Sequence, residues 1–216
     1  MHKLEGLRFL QKHFPDICVD CVFIGRNELP DRRLLKNRPG RLFRVRSGRS
    51  RGSELSLPRR TCRSVAEVEN FVVRTRAEDS NLEFVVHRVT AAYFAPMLVG
   101  TLALFERPSP VMLIQIQRAS TALVNQMDVG VRARDWPVAA IYSFPHFGQR
   151  PEIVTVDPTL QAQSISQEIH LLWNLGREID SLKQAAGSSY ETVTLFNIYP
   201  SGDVMIDDHR GVESFA

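Results

Sequence analysis

Cysteine is scarce in this sequence, with three residues in 216. That is no disulfide framework for a chain of this size, so a reducing compartment is the default expectation. Cys18 and Cys21 form a single C-x-x-C inside ICVDCVFI. Zinc would ask for a second ligand pair, and only Cys62 and scattered histidines remain. A redox pair would sit on a loop-to-helix turn, whereas this run reads as a strand, so buried free thiols are expected. A long apolar run is also lacking. The longest, YFAPMLVGTLALF (93–105), is about 13 residues and holds Pro96 and Gly100, short of the ~20 needed to cross a bilayer. The N-terminus, MHKLEGLRFL, lacks the basic, apolar, small-residue order of a secretory signal. A cytoplasmic protein without membrane partners is the expectation. No internal repeat or low-complexity segment is present. Hydrophobic content of 44% and charged content of 24% exclude global disorder.

The net charge of +3 is modest, but it is unevenly spread. Between Arg26 and Arg63 stand thirteen Lys or Arg against three acids, Glu28, Asp31 and Glu54. The C-terminal end carries Asp203, Asp207, Asp208 and Glu213 around Arg210. A basic segment meeting an acidic end suits a metal–polyphosphate site, and it equally suits an intramolecular ion-pair network. Composition leaves both open.

The centre of the basic segment is RLFRVRSGRSRGSE (41–54). Arg44 and Arg46 alternate with Phe43 and Val45, as on a half-buried strand. The strand is expected to run into a flexible loop of Ser47, Gly48, Ser50, Gly52 and Ser53 carrying Arg49 and Arg51. Guanidinium groups give planar, bidentate contact with phosphate oxygens, and glycine lets backbone N–H groups approach an anion.

Elsewhere, Leu4, Leu7 and Leu10 predict a helix over 3–13, ending before Pro15. Strands are expected over 17–24, 82–89, 101–105, 111–117, 138–144 and 152–156, and residues 25–40 read as a loop. Ser64 with Glu67, and Ser164 with Gln167, are capping-box signatures that open helices over 64–77 and 164–185. Strands 191–199 and 204–208 flank the turn Pro200-Ser201-Gly202-Asp203 as a hairpin. Residues 119–135 carry no clear pattern. The irregular mixture predicts an α+β fold. The chain is expected to form one compact unit over 1–216, with lobes at 1–80 and 81–216.

The order of these pieces resembles the nucleotide-binding, ATP-grasp-type domain of the pyruvate phosphate dikinase and phosphoenolpyruvate synthase family. Lys3 leads a helix with Leu7 and Leu10 at the family spacing, and FPDICVDCVFI is similar to its valine- and proline-rich entry to a buried strand. Val45, Arg46 and Ser47, followed by Gly48, match its valine-arginine-serine motif. FVVHRV and GTLALF look like its two central strands, with His87 at a glutamine position. LLWNLGREID, TLFNIYPSGD and VMIDDHR follow its closing order, with Arg210 eight residues after Gly202. Three positions depart. Phe196 stands where the family has a metal-binding glutamate, Asp208 replaces its glutamine, and His2 its glycine before the lysine. The chain also lacks the phosphohistidine domain and the phosphoenolpyruvate-binding barrel.

The resemblance implies two-lobed mixed sheets with flanking helices, with ATP and Mg2+ as cofactors. It implies phosphoryl transfer to an acceptor that could be water, a small carboxylate or a histidine on a separate partner protein. Arg46 and Lys3, with Ser47, Gly48 and Arg49, would hold the triphosphate, and Arg46 and Arg210 would serve the transfer. Asp207 and Asp208 are the carboxylates near the family's metal position. Neighbours on a strand point to opposite faces, so one of them is expected to bind metal, and register favours Asp208. Against this stand plainer expectations: Arg44 and Arg46 as structural ion pairs, His87 as a satisfied core histidine, and His209 as a surface histidine. A degenerate member that binds nucleotide without turnover is a second reading, supported by Phe196. A nucleic-acid-binding module is a third. It is weakened by the lack of aromatics beside Phe43 and of any helix-turn-helix or zinc motif.

Overall fold

A computed structural model describes residues 1–37, 39–50, 57–106, 109–119, 138–161, 165–188 and 191–211. Leu4, Leu7 and Leu10 fall on one face of helix α1 (Lys3–His13) and are buried, and the chain leaves the helix at Phe14 ahead of Pro15. A turn then leads to strand β1 (Cys21–Ile24). Only the second half of the expected 17–24 strand forms. Cys18 instead makes a single parallel bridge to Ile206.

Strands β2 (Arg41–Gly48) and β3 (Arg59–Cys62) precede helix α2 (Val65–Glu78). The Ser64 hydroxyl caps α2 by accepting the Glu67 N–H at 3.2 Å, as the capping signature requires. Strand β4 (Glu83–Thr90) and a 3-10 turn (Ala91–Phe94) come next. Beyond them lie β5 (Leu98–Phe105), β6 (Val111–Arg118), β7 (Val138–Pro145) and β8 (Glu152–Val156). Short α3 (Pro158–Gln161), long α4 (Ser166–Ala185), β9 (Thr192–Ile198) and β10 (Val204–Gly211) complete the chain. Strand β5 starts three residues earlier than expected and β10 runs three further. Ser164, Glu213, Arg51, Gly52, Ser53, Glu54 and the patternless 120–135 lie outside the described residues.

The fold is α+β, with two sheets. The smaller has the order β1-β4-β2-β3 and the larger β10-β9-β5-β6-β7-β8, every pairing of named strands being antiparallel. Strand β4 lies in the smaller sheet, so that sheet closes at Thr90. Its core forms with α2 around Phe43, Val45, Val68, Val72 and Phe84. The larger core joins α4 and α1 to the six-stranded sheet, so the N-terminal helix belongs with the C-terminal strands. Gly6 makes that contact possible: a Cβ there would lie 1.6 Å from the His209 carbonyl oxygen. The last strand is anchored by Gly211 N–H donating to Met1 O at 2.9 Å.

Three irregularities interrupt the ladders of the larger sheet. One lies inside it, where Ile116 pairs with Ala140 and Gln117 with Val138 so that Ala139 is skipped, and two lie on its outer strands. In β10 the register skips between Ile206 and Asp208, which leaves Asp207 as a bulge. In β8, Thr155 pairs with Ile141 and Ile153 with Tyr142, so Val154 is a second bulge at the outer strand.

Candidate functional site

The two sheets meet where β2 faces the end of β10. Alternation turns Arg46 to this meeting point, and the bulge turns Asp207 toward it. Arg46 Nη2 donates to Asp207 Oδ2 at 2.7 Å, and Nη1 to the Asp207 carbonyl at 3.1 Å. From the 3-10 turn, the Tyr93 hydroxyl donates to the same carboxylate oxygen at 2.9 Å, and Tyr199 donates to Tyr93 O at 3.0 Å. The two charged side chains are 17% and 14% exposed. Burial alone would lower the Arg46 pKa, but Asp207, Tyr93 and Asp208 outweigh it and fix the guanidinium charge. Burial, then Asp207, push Tyr93 well up, so its hydroxyl stays a donor.

Behind this triad sits His87 on β4, fully buried. Its Nδ1 lies 3.3 Å from Cys21 Sγ, and its Nε2 has no hydrogen-bond partner among the described residues. Burial first, then the charges of Arg46, Arg44 and Lys3, hold it far below the usual histidine range, against the opposite pull of Asp208. The expected core histidine is therefore core, but only half satisfied.

The other predicted residues divide. Lys3, the first residue of α1, is half-buried and its charge reaches His87. Asp208 does not face Arg46's hydrogen-bonding groups. It is 2% exposed and bound through both oxygens to Nε and Nη2 of Arg210. The bulge makes Asp207, and not Asp208, the aspartate that meets Arg46. Ser47 and Gly48 are strand residues, paired with Phe84 and Glu83, and not a loop. The Ser47 hydroxyl donates to Pro58 O at 2.6 Å. Arg49 pairs with Asp79 at 2.5 Å, and Arg44 donates to Thr61 at 2.9 Å. The structure gathers Arg46, Asp207 and His87, with Lys3 within electrostatic reach, and gives Ser47, Gly48 and Arg49 to other partners.

His209 is buried, not on the surface. Its Nδ1 is 2.7 Å from Thr194 Oγ1 and its ring stacks on Phe9 at 5.5 Å. Burial pushes its pKa down to about 4. Phe196 is buried over Gly100, where an added Cβ would fall 2.4 Å from its ring. Among the described residues, no three His, Cys, Asp or Glu side chains are grouped to hold a metal. Mg2+ bound with phosphate needs only one or two carboxylates, and Asp207 is the one that borders the meeting of the sheets. Tyr93 and Tyr199 carried no signal in the sequence, since an aromatic in YFAP reads as core.

No protein-family model and no curated protein matches the chain. Solved structures similar to it include the D-alanine–D-alanine ligase of Bacillus anthracis, at 9% identity and TM-score 0.45, over 97% of this chain and 56% of that one. The D-alanine–D-alanine ligase of Coxiella burnetii gives 12%, 0.48, 97% and 47%. The D-alanyl-alanine synthetase A of Vibrio cholerae gives 8%, 0.47, 96% and 56%. The chain spans about half the length of these proteins. Among the described residues no helix is long and apolar enough to cross a membrane.

Proposed function

We propose that this chain binds a nucleoside triphosphate where its two sheets meet, with the phosphates on Arg46 and Mg2+ on Asp207. The observation that carries this reading is the Arg46–Asp207–Tyr93 triad, a cation and an anion held in contact between the two sheets. Entry of a magnesium-bound polyphosphate would exchange partners. The guanidinium would pass to phosphate oxygens and the carboxylate to the metal, so neither charge is left bare in a low-dielectric site. The His87 Nε2, without a hydrogen-bond partner among the described residues, and the nearby charge of Lys3 support the same reading. Mg2+, when bound, would neutralise charge on the transferring phosphoryl group. Arg46 would hold and orient the phosphates, and Tyr93 would keep Asp207 in position. The acceptor would come from water, a small carboxylate or a partner's histidine. The ATP-grasp-type order of motifs supports this reading.

A second reading, binding without turnover, is favoured by Phe196. That position is filled by core packing against Gly100 and supplies no ligand. The nucleic-acid reading is less favoured because Arg46 is held inside by Asp207, and Arg32, Arg41 and Arg49 pair at the surface with Glu69, Asp20 and Asp79.

Titration calorimetry with Mg-ATP tests the proposal. Binding in the micromolar to millimolar range, abolished by Arg46→Ala and made insensitive to Mg2+ by Asp207→Asn, is the expected result. No heat at millimolar Mg-ATP rejects it. Phosphate release followed by 31P NMR then separates the two readings: turnover that tracks Arg46 supports transfer, and binding without turnover supports the second.

A further inference from the structure

The C-x-x-C pair is not used by the triad, and its surroundings are specific. Cys18 Sγ lies 3.6 Å and Cys21 Sγ 2.8 Å from one oxygen, the Val19 carbonyl. The segment is therefore turned, since in an extended strand side chains three apart point to opposite faces. Sharing one acceptor brings the two thiols to the same side of the turn. A neutral imidazole stands on the far side, with His87 Nδ1 3.3 Å from Cys21 Sγ. The third cysteine, Cys62, lies in the core of the smaller sheet, apart from this pair.

We propose that Cys18 and Cys21 are a reversible oxidation site, closing to an intramolecular disulfide with a low-molecular-weight disulfide as oxidant. The Cys18 thiolate attacks one sulfur of the oxidant, forms a mixed disulfide and expels the first small thiolate. The Cys21 sulfur attacks Cys18 Sγ, which breaks the mixed disulfide and expels the second small thiolate, and the Cys21 proton passes to that departing thiolate. Two protein thiols and one small disulfide become one protein disulfide and two small thiols, and the oxidant gains the two electrons. The roles follow the environment. Cys21 Sγ is held at 2.8 Å from the Val19 carbonyl, whereas Cys18 Sγ is held less closely at 3.6 Å, so Cys18 is the thiol that reacts first. Both sulfurs are buried, so reaction waits on opening of the irregular segment 14–20.

The site touches the triad through the backbone. Ile206 N–H donates to Ile17 O at 2.8 Å and Val19 N–H to Ile206 O at 3.2 Å, one residue before Asp207. Drawing the two sulfurs to bonding distance, about 2.0 Å, pulls on this clasp and on the bulge that presents Asp207 to Arg46.

The test uses the full chain equilibrated in glutathione buffers from reducing to oxidising, acid-quenched and digested with trypsin. Cleavage after Lys12 and Arg26 leaves both cysteines on one peptide, residues 13–26, and Cys62 on another. The expected result is loss of two hydrogens from peptide 13–26, reversed by dithiothreitol, with Cys62 still reduced. Cys21→Ser should stop at a single glutathione adduct on Cys18. Hydrogen exchange of the amides around Ile206–Asp208 should speed several-fold on oxidation in the unsubstituted chain, a readout that does not depend on how the variant folds. Peptide 13–26 remaining a dithiol in oxidising buffer, or gaining only glutathione, overturns the site. Unchanged exchange at Ile206–Asp208 overturns its coupling to the triad.

Discussion

Replacing Gly6 by alanine sets two physical effects against each other with opposite signs. Gly6 lies inside α1, where helix propensity alone favours alanine by about 1 kcal/mol. The packing of α1 on β10 says otherwise, since the new methyl would sit 1.6 Å from the His209 carbonyl oxygen and 2.5 Å from its carbon. The obstacle is backbone, so no rotamer change relieves it and the helix must lift. Overpacking costs about 1–3 kcal/mol. Lifting also returns water to Leu4, Leu7 and Leu10, each worth about 1.5–3 kcal/mol when fully buried. Even partial exposure outweighs the propensity gain. The net expectation is a loss of about 3 kcal/mol. Urea unfolding followed by tryptophan fluorescence and far-ultraviolet circular dichroism measures it as a lower midpoint at unchanged slope. Gly6→Ala leaving the midpoint unchanged or raising it would refute the close contact of α1 with β10, and with it the placement of Lys3 beside His87.

Four further substitutions probe the triad and the core beside it. Arg46→Met and Asp207→Leu, each alone, should destabilise by about 2–4 kcal/mol by stranding a charge, while the double variant recovers most of that loss; additive losses in a double-mutant cycle would deny the ion pair its buried character. His209 titrates near 6.5 when unfolded and about 4 when folded. Its contribution is therefore fully present above pH 6.5, is lost as the pH falls toward 4, and amounts to about 3 kcal/mol at most. His209→Gln should flatten the urea midpoint across that window, and an unchanged slope there would count against a buried, neutral His209. Phe196→Glu, which restores the carboxylate of the resembled family, should create no Mg2+ site. It should instead lower the thermal midpoint sharply by burying an unpaired charge over Gly100; a stable variant that binds Mg2+ by calorimetry would reverse the account of that position.

Much of the fold was legible because it rests on local periodicity. The leucines of α1, the Ser64 cap, the alternation of Arg44 and Arg46 with Phe43 and Val45 in β2 and the apolar runs of β4 and β6 each declare their element. What escaped the sequence depends on a single residue of register or on distant pairing. Alternation predicts that Asp207 and Asp208 face opposite ways, but not which one faces Arg46, because a bulge has no marker in VMIDDHR. Ser47 and Gly48 read as loop from composition, and pairing with β4 overrides that. His209 reads as a surface residue beside two aspartates until α1 folds across the far end of the chain and lays Phe9 on it. Tyr93 becomes a site residue only because the 3-10 turn brings a ring from between the sheets to a carboxylate on the last strand.

The outer strand of the larger sheet raises a different matter. In β8, Ile153 and Val154 are 60% and 63% exposed, and EIVTV is the composition that templates cross-β stacking when an edge lies open. Here Pro151 and Pro158 bracket the strand, each without an N–H to offer, and the Val154 bulge bends what lies between them. A neighbouring chain seeking to extend the sheet would find a short, twisted ladder closed at both ends. The bulge thereby guards against lateral growth into fibrils, and Pro151→Val with Pro158→Val would remove that guard while leaving the triad untouched.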